Sequence, residues 1–105
     1  MIEILKDKGK KINIFGYEYT LKMSLKNIAR LKEIFPDLEN ITLNYETVPQ
    51  VMKVLIDDYC DAHPEAPRLT IEDMNEGFDV ADLSYLQNFC MDLIQPKLEK
   101  SEKNG

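Results

Sequence analysis

Apolar and polar residues alternate near the N-terminus of the chain, and further along apolar residues recur at helical spacing. Ile12 and Ile14 precede Gly16, and every second residue after it is apolar, namely Tyr17, Tyr19, Leu21 and Met23. Alternation of this kind indicates half-buried strands, and a glycine supplies the positive φ of a tight turn. The pattern therefore predicts a β-hairpin centred on Gly16, and residues 2–5 are a candidate for a short third strand.

The spacing of apolar residues becomes helical directly after the hairpin. Leu25, Ile28, Leu31 and Phe35 follow Ser24, which stands where an N-cap is expected. Pro36 cannot continue a helix and restricts the residue before it. We therefore expect a first helix from Ser24 to about Phe35. The connection 37–46 stays open, with a short extended piece around Ile41 and Leu43 as one alternative.

A second helix is predicted from a capping motif at its start and a loop with two prolines at its end. Thr47 followed by Gln50 matches a capping box, and Pro49 is tolerated in a first helical turn. Pro64 and Pro67 lie in a loop that ends the helix near Ala62. The predicted span is 47–62.

Two more helices follow in the C-terminal part. Thr70 and Asp73 suggest a cap for a short helix over 71–76, and Gly77 then stands where a left-handed C-terminal cap is favoured. Asp79 is the expected cap of a last helix over 80–95, before Pro96. The predicted fold class is α+β and mostly helical, an N-terminal β-hairpin followed by about four helices. We expect one compact domain over 1–97 and a flexible polar tail over 98–105.

Composition and charge narrow the classes of function. The 105 residues include 13 lysines and arginines and 19 acidic residues, which gives a net charge of −6. A negative chain argues against general binding to a nucleic-acid backbone. No apolar run approaches the roughly 20 residues of a membrane span, and the first residues lack the pattern of a secretion signal. We therefore expect a cytoplasmic protein that binds neither nucleic acid nor membranes.

Cys60 and His63 are the residues that most invite a chemical role. They are spaced C-x-x-H beside three aspartates, but the chain holds only two cysteines and one histidine. Structural zinc takes four ligands in paired motifs, and a cysteine nucleophile needs an orienting group and an oxyanion site. The carboxylates at positions 72–82 lack the EF-hand pattern and suit solvated helix ends. We expect no catalytic, cofactor-binding or metal-binding residues, and no enzyme.

Three apolar residues lie off the core-facing stripes of the predicted helices. The stripe of the second helix comprises Val48, Val51, Met52, Leu55, Ile56 and Tyr59, and that of the last helix comprises Leu83, Leu86, Cys90, Leu93 and Ile94. Val54 is off the first stripe, and Tyr85 and Phe89 stand together beside the second. Such aromatics are either covered by a neighbouring element or exposed as anchors for a partner. The predicted partner-binding residues are Val54, Tyr85 and Phe89.

Two short motifs carry a resemblance to a known family. The segment IFGYEYTLK at 14–22 and the segment LTIEDM at 69–74 stand before the first and the last helices. In layout and in these motifs, residues 12–95 resemble the tail assembly chaperones of long-tailed phages and prophages of Gram-positive bacteria. The proline-bearing region between Pro36 and Pro49 departs from the family pattern.

The resemblance implies a non-catalytic factor that coats the tape measure protein and recruits tail tube subunits. Its location would be the cytoplasm of an infected or lysogenic bacterial host. Two other functions stay open. One is a small acidic adaptor, such as an antitoxin or an anti-repressor that mimics nucleic acid, and the other is an enzyme that uses Cys60. The sequence leaves the oligomeric state undetermined.

Overall fold

The hairpin predicted around Gly16 is present. In the computed structural model, which describes the backbone of residues 9–103 and the side chains of residues 9–94, strand β1 (Lys10–Ile14) pairs antiparallel with strand β2 (Tyr17–Leu21). Both turn residues have positive φ, 53° at Phe15 and 88° at Gly16, which is the signature of a type I′ turn. The proposed third strand at 2–5 lies outside the described residues.

Helix α1 (Leu25–Ile34) begins and ends as predicted. The side chain of Ser24 accepts a hydrogen bond from the backbone N–H of Asn27, and the helix stops at Phe35, before Pro36. The connection that follows contains a short 3₁₀ helix (Leu38–Asn40), in which Leu38 is buried.

Helix α2 (Thr47–Ala62) has the predicted bounds but a different cap. The side-chain oxygen of Asn44 accepts hydrogen bonds from the backbone N–H groups of Glu46 and Thr47, at 2.8 and 3.0 Å. Gln50 donates to the carbonyl of Glu46 instead of closing a capping box. The predicted capping box of Thr47 and Gln50 is therefore wrong, because Asn44 supplies the acceptor one turn earlier.

Helix α3 (Ile71–Gly77) has the capping box that the sequence predicted. Thr70 accepts from the N–H of Asp73 at 3.0 Å, and the carboxylate of Asp73 accepts from the N–H of Thr70 at 2.9 Å. The predicted left-handed cap at Gly77 is wrong, since this residue is helical and its φ is not positive. A Cβ at position 77 would collide with the ring of Phe15, which stacks on Phe78 at 5.1 Å. A larger residue here would therefore displace the half-exposed ring of Phe15.

Helix α4 (Val80–Lys103) begins with a reciprocal pair of hydrogen bonds between Asp79 and Asp82. The helix backbone continues beyond Gln95 and through Pro96, so the predicted end before the proline is wrong. Proline lacks an N–H and removes one helical hydrogen bond, and the turns on either side carry the helix across that gap.

The core forms around α2, which packs against β2, α1, α3 and α4. The core face predicted for α2 is confirmed, since Val48, Val51, Met52, Leu55 and Ile56 are all buried. In α4 the buried stripe comprises Leu86, Cys90, Leu93 and Ile94, with Leu83 half-buried. The fold is thus α+β and mostly helical, as predicted. Within the described part of the chain, no helix has the length and apolarity needed to cross a membrane.

A hydrogen bond from the hairpin secures the loop between α2 and α3. The hydroxyl of the fully buried Tyr19 donates to the carbonyl of Pro67 at 2.5 Å. On the same loop, the ammonium of Lys53 donates to the carbonyl of Leu69 at 3.0 Å. The carbonyls of Pro67 and Leu69 in this loop are therefore each held by a side chain from a different element, Tyr19 of β2 and Lys53 of α2.

Candidate functional site

Two of the three predicted partner-binding residues lie together beside the hairpin. Tyr85 is 58% exposed, Phe89 is 6% exposed, and their rings lie 6.4 Å apart and nearly parallel. They line a groove of about 480 Å³ together with Lys10, Lys11, Asn88 and Asp92. We call this the β1–α4 groove. The ammonium of Lys10 forms a 2.9 Å ion pair with Asp92 across it.

The structure distinguishes between the two alternatives left open for the aromatic pair. Phe89 belongs to the buried core cluster, so its ring is covered, whereas the ring of Tyr85 stays exposed above it. Val54 is half-buried, packs against the core cluster, and is not among the residues that line the β1–α4 groove. Of the three predicted partner-binding residues, only Tyr85 thus has a largely exposed side chain.

A second groove lies on the opposite flank of α4 and was missed by the sequence reasoning. This α3–α4 groove, of about 330 Å³, is lined by Tyr45, Met74, Asn75, Phe78, Asp79, Val80 and Leu83. Tyr45 is 70% exposed and Val80 is 83% exposed, while Met74 is fully buried. One signal in the sequence pointed to it. Val80 occupies the first turn of an exposed helix start, where no core contact favours a large apolar side chain.

A third cleft, of about 770 Å³, lies between the hairpin and the end of α2, and Lys22, Lys26, Asp58 and His63 are among its lining residues. The carboxylate of Asp58 accepts from Lys26 at 2.7 Å and from the buried amide of Asn27 at 3.2 Å. Burial acts to raise the pKa of Asp58, but these hydrogen bonds outweigh it and hold the pKa below its ordinary value. The ionised carboxylate of Asp58 on α2 is thus bound to two side chains of α1.

Cys60 and His63 do not contact each other through their polar atoms, and each has a different partner. The thiol of Cys60 is buried 3.5 Å from the carbonyl of Pro67, and burial raises its pKa. The ring of His63 stacks on Tyr59 at 4.0 Å, with Nδ1 3.0 Å from the carbonyl of Tyr59. A reactive cysteine needs an exposed site that lowers its pKa, and Cys60 has the opposite surroundings.

The second cysteine is equally enclosed. Cys90 is fully buried beside Met52, with the two sulfur atoms 3.7 Å apart, and burial raises its pKa to about 12. Across the residues that the structure describes, no three His, Cys, Asp or Glu side chains are grouped so that they could hold a metal ion. The exposed apolar side chains of the two grooves are Tyr85 in the β1–α4 groove and Tyr45 and Val80 in the α3–α4 groove.

Comparisons with known proteins gave no matching family model, no matching curated protein and no matching solved structure. The features of the chain that bear on its function are therefore the exposed side chains of the two grooves and the motifs at 14–22 and 69–74.

Proposed function

We propose that this chain is a non-catalytic tail assembly chaperone that binds the tape measure protein and helps to recruit tail tube subunits. The observation that carries the proposal is the exposed ring of Tyr85 stacked on the buried ring of Phe89 in the β1–α4 groove. The resemblance of the motifs at 14–22 and 69–74 supplies the identity of the partners.

The geometry of Tyr85 suits an anchor for a helical partner. Its ring rests on a side chain fixed in the core, so little conformational entropy is lost when a partner covers it. Aromatic residues on such rigid supports dominate the energetics of protein interfaces. A long helical polypeptide such as a tape measure protein presents apolar stripes that fit into grooves of this kind.

Modest binding per copy also agrees with a chaperone that must later leave. The β1–α4 groove offers one exposed aromatic residue and the aliphatic parts of Lys10 and Lys11. An interface of that size is weak by itself, and many copies on one long partner would supply the overall affinity. The net charge of −6 would keep free copies apart and dissolved.

Co-expression with the tape measure protein encoded in the same gene cluster tests this function. The chain should raise the soluble fraction of the tape measure protein severalfold, and Tyr85→Ala should remove most of that effect. Leu25→Ala is the matched control, because Leu25 is 85% exposed on α1 and lines neither groove. A tape measure protein that stays equally insoluble with and without the chain would refute the proposal.

A small acidic adaptor is the second candidate, and one observation favours it. Residues 69–96 contain six carboxylates and no lysine or arginine. A protein that mimics nucleic acid needs such a one-sided charge. This function would instead predict salt-sensitive binding to a basic DNA-binding protein and no effect on tape measure solubility.

A further inference from the structure

The outer edge of strand β2 carries backbone groups that the hairpin leaves unpaired. The tight turn joins Ile14 and Tyr17 by hydrogen bonds, and from that pair onward the facing residues alternate between hydrogen-bonded and non-hydrogen-bonded positions. Glu18 and Thr20 fall on non-hydrogen-bonded positions, so their N–H and C=O groups point away from β1. Within residues 9–103 the sheet has only two strands, and β2 therefore ends it on this side.

No side chain takes the place of a third strand at this edge. Among residues 9–94, no side chain or turn forms a hydrogen bond with the backbone of Glu18 or Thr20. The carbonyl of Lys22, just past the end of the strand, accepts from the buried amide of Asn27 at 3.0 Å. That contact closes the free edge at one end. An unpaired strand edge is a template for a further strand.

The free edge borders the cleft of about 770 Å³ between the hairpin and the end of α2, which we call the β2–α2 cleft. Thr20 lines it on the side of the hairpin, and Tyr59 and Ala62 line it on the side of α2, which packs against β2. The side chains of an added strand would alternate in direction, and those on one face would meet this helix wall.

The charges of the cleft favour an acidic segment. Among residues 9–94, the two carboxylates that line the cleft are already in ion pairs, Asp58 with Lys26 at 2.7 Å and Asp61 with Arg68 at 2.8 Å. Lys22 lines the same cleft, is exposed, and forms no ion pair within that range. Its ammonium is thus available to a carboxylate of a partner.

We propose that the β2–α2 cleft binds an extended acidic peptide segment of a partner protein, which adds to the outer edge of β2 as a third strand. The backbone of the segment pairs with Glu18 and Thr20, and one of its carboxylates meets Lys22. A helix uses its backbone groups internally and would leave this edge unpaired. The site goes beyond the proposed function, because it shares no lining residue with the β1–α4 groove.

Amide hydrogen exchange tests the strand pairing in the unaltered chain. The probe is a hexapeptide, blocked at both termini, in which valine and threonine alternate between two terminal glutamates. In the free protein, the amides of Glu18 and Thr20 should exchange faster than those of Tyr19 and Leu21, which pair with β1. Near saturation, the peptide should slow the exchange of Glu18 and Thr20 at least about tenfold. The amide of Asn13, on the opposite edge of the hairpin, is the internal control and should not change.

Two changes separate backbone pairing from charge. The same peptide with N-methyl groups on its four central residues cannot donate to β2 and should bind at least about tenfold more weakly. Lys22→Gln should raise the dissociation constant of the unmethylated peptide about threefold at low salt. Arg30→Gln is the matched control, because Arg30 is exposed on α1 and does not line the cleft.

Three results would overturn the strand pairing: equal binding of the two peptides, no binding of the unmethylated peptide, or slow exchange of Glu18 and Thr20 already in the free protein. The last result would mean that the edge is filled before the peptide is added. An unchanged dissociation constant in Lys22→Gln would overturn the acidic part of the proposal. Each of these results, with the tape measure effect of Tyr85→Ala intact, would leave the proposed function standing.

Discussion

At the scale of single residues, the chain depends on a few side chains that each connect two elements. Tyr19 belongs to the hairpin, yet its hydroxyl binds the carbonyl of Pro67 in the loop after α2. Asp58 on α2 binds both Lys26 and Asn27 of α1. Tyr19 and Asn27 are fully buried and Asp58 is half-buried, and a hydrogen bond lost at such side chains costs more than one lost at the surface.

Tyr19 should make the protein sensitive to alkali. Burial raises its pKa from 10.0 to about 12, so the neutral hydroxyl favours the folded state. This stabilisation is complete below pH 10 and is lost as the pH rises towards 12. Tyr19→Phe should cost about 1 kcal/mol at neutral pH and flatten the alkaline loss. Urea unfolding below pH 10 and near pH 12 measures this loss of unfolding free energy. Tyr45→Phe is the control, because the ring of Tyr45 is exposed. An unchanged alkaline slope in Tyr19→Phe would contradict the assignment.

Glycines show where residue types alone can mislead. Gly16 was predicted from alternation on both sides of it, and the turn does require its positive φ. Gly77 was predicted from the same freedom of φ, but it is helical and gives room to the ring of Phe15. The contact joins residues about sixty positions apart in sequence, so no local pattern could have revealed it.

At the scale of elements, prolines and caps in the sequence located most of the boundaries. Pro36 ends α1, and Thr70 with Asp73 begins α3, because both signals act within a few residues. The start of α2 was placed correctly for the wrong reason. Its first turn is capped by Asn44, whose side chain reaches the N–H of Thr47 across the preceding turn. Asn44 and Thr47 are only three residues apart, and which of them caps the helix depends on the path of the turn, which the sequence does not specify.

Removal of the Asn44 side chain should therefore destabilise α2. Asn44→Ala leaves the N–H groups of Glu46 and Thr47 without their side-chain acceptor. The expected loss is about 1 kcal/mol of unfolding free energy. Gln50→Ala should change it by less than about 0.5 kcal/mol. Denaturant titrations of both variants measure the difference, and a larger loss in Gln50→Ala would restore the capping box.

At the scale of the whole molecule, packing decides which apolar residues are covered. The helical spacing placed Phe89 at the edge of a stripe, where either burial or exposure was possible. β1 lies beside this edge, since Lys10 and Lys11 line the same groove as Phe89. The same reasoning could not identify the α3–α4 groove, because Tyr45 and Val80 come together only once α2, α3 and α4 are packed.

Truncating each of the two aromatic side chains Tyr85 and Phe89 to alanine should show which of them contributes to the stability of the core. Phe89→Ala should cost about 3–5 kcal/mol of unfolding free energy, because it empties a site in the core. Tyr85→Ala removes a ring that is 58% exposed and should cost less than about 1 kcal/mol. Thermal and denaturant unfolding of the two variants measures this contrast. Equal losses would mean that the ring of Tyr85 is held in the core as firmly as that of Phe89.

The uneven placement of lysines gives the molecule two chemically different faces. Lys10, Lys11, Lys22, Lys26 and Lys32 lie in the hairpin and α1, and Lys53 is held by Asp57 and the carbonyl of Leu69. The next lysine, Lys97, is about 25 Å along α4 from Val80. An amine-reactive support should therefore hold the protein by its hairpin side or by the lysines from Lys97 onward, and leave the α3–α4 groove open. Trypsin, which cuts after lysine and arginine, finds no site between Arg68 and Lys97, so α3 and the first five or so turns of α4 should survive digestion as one peptide.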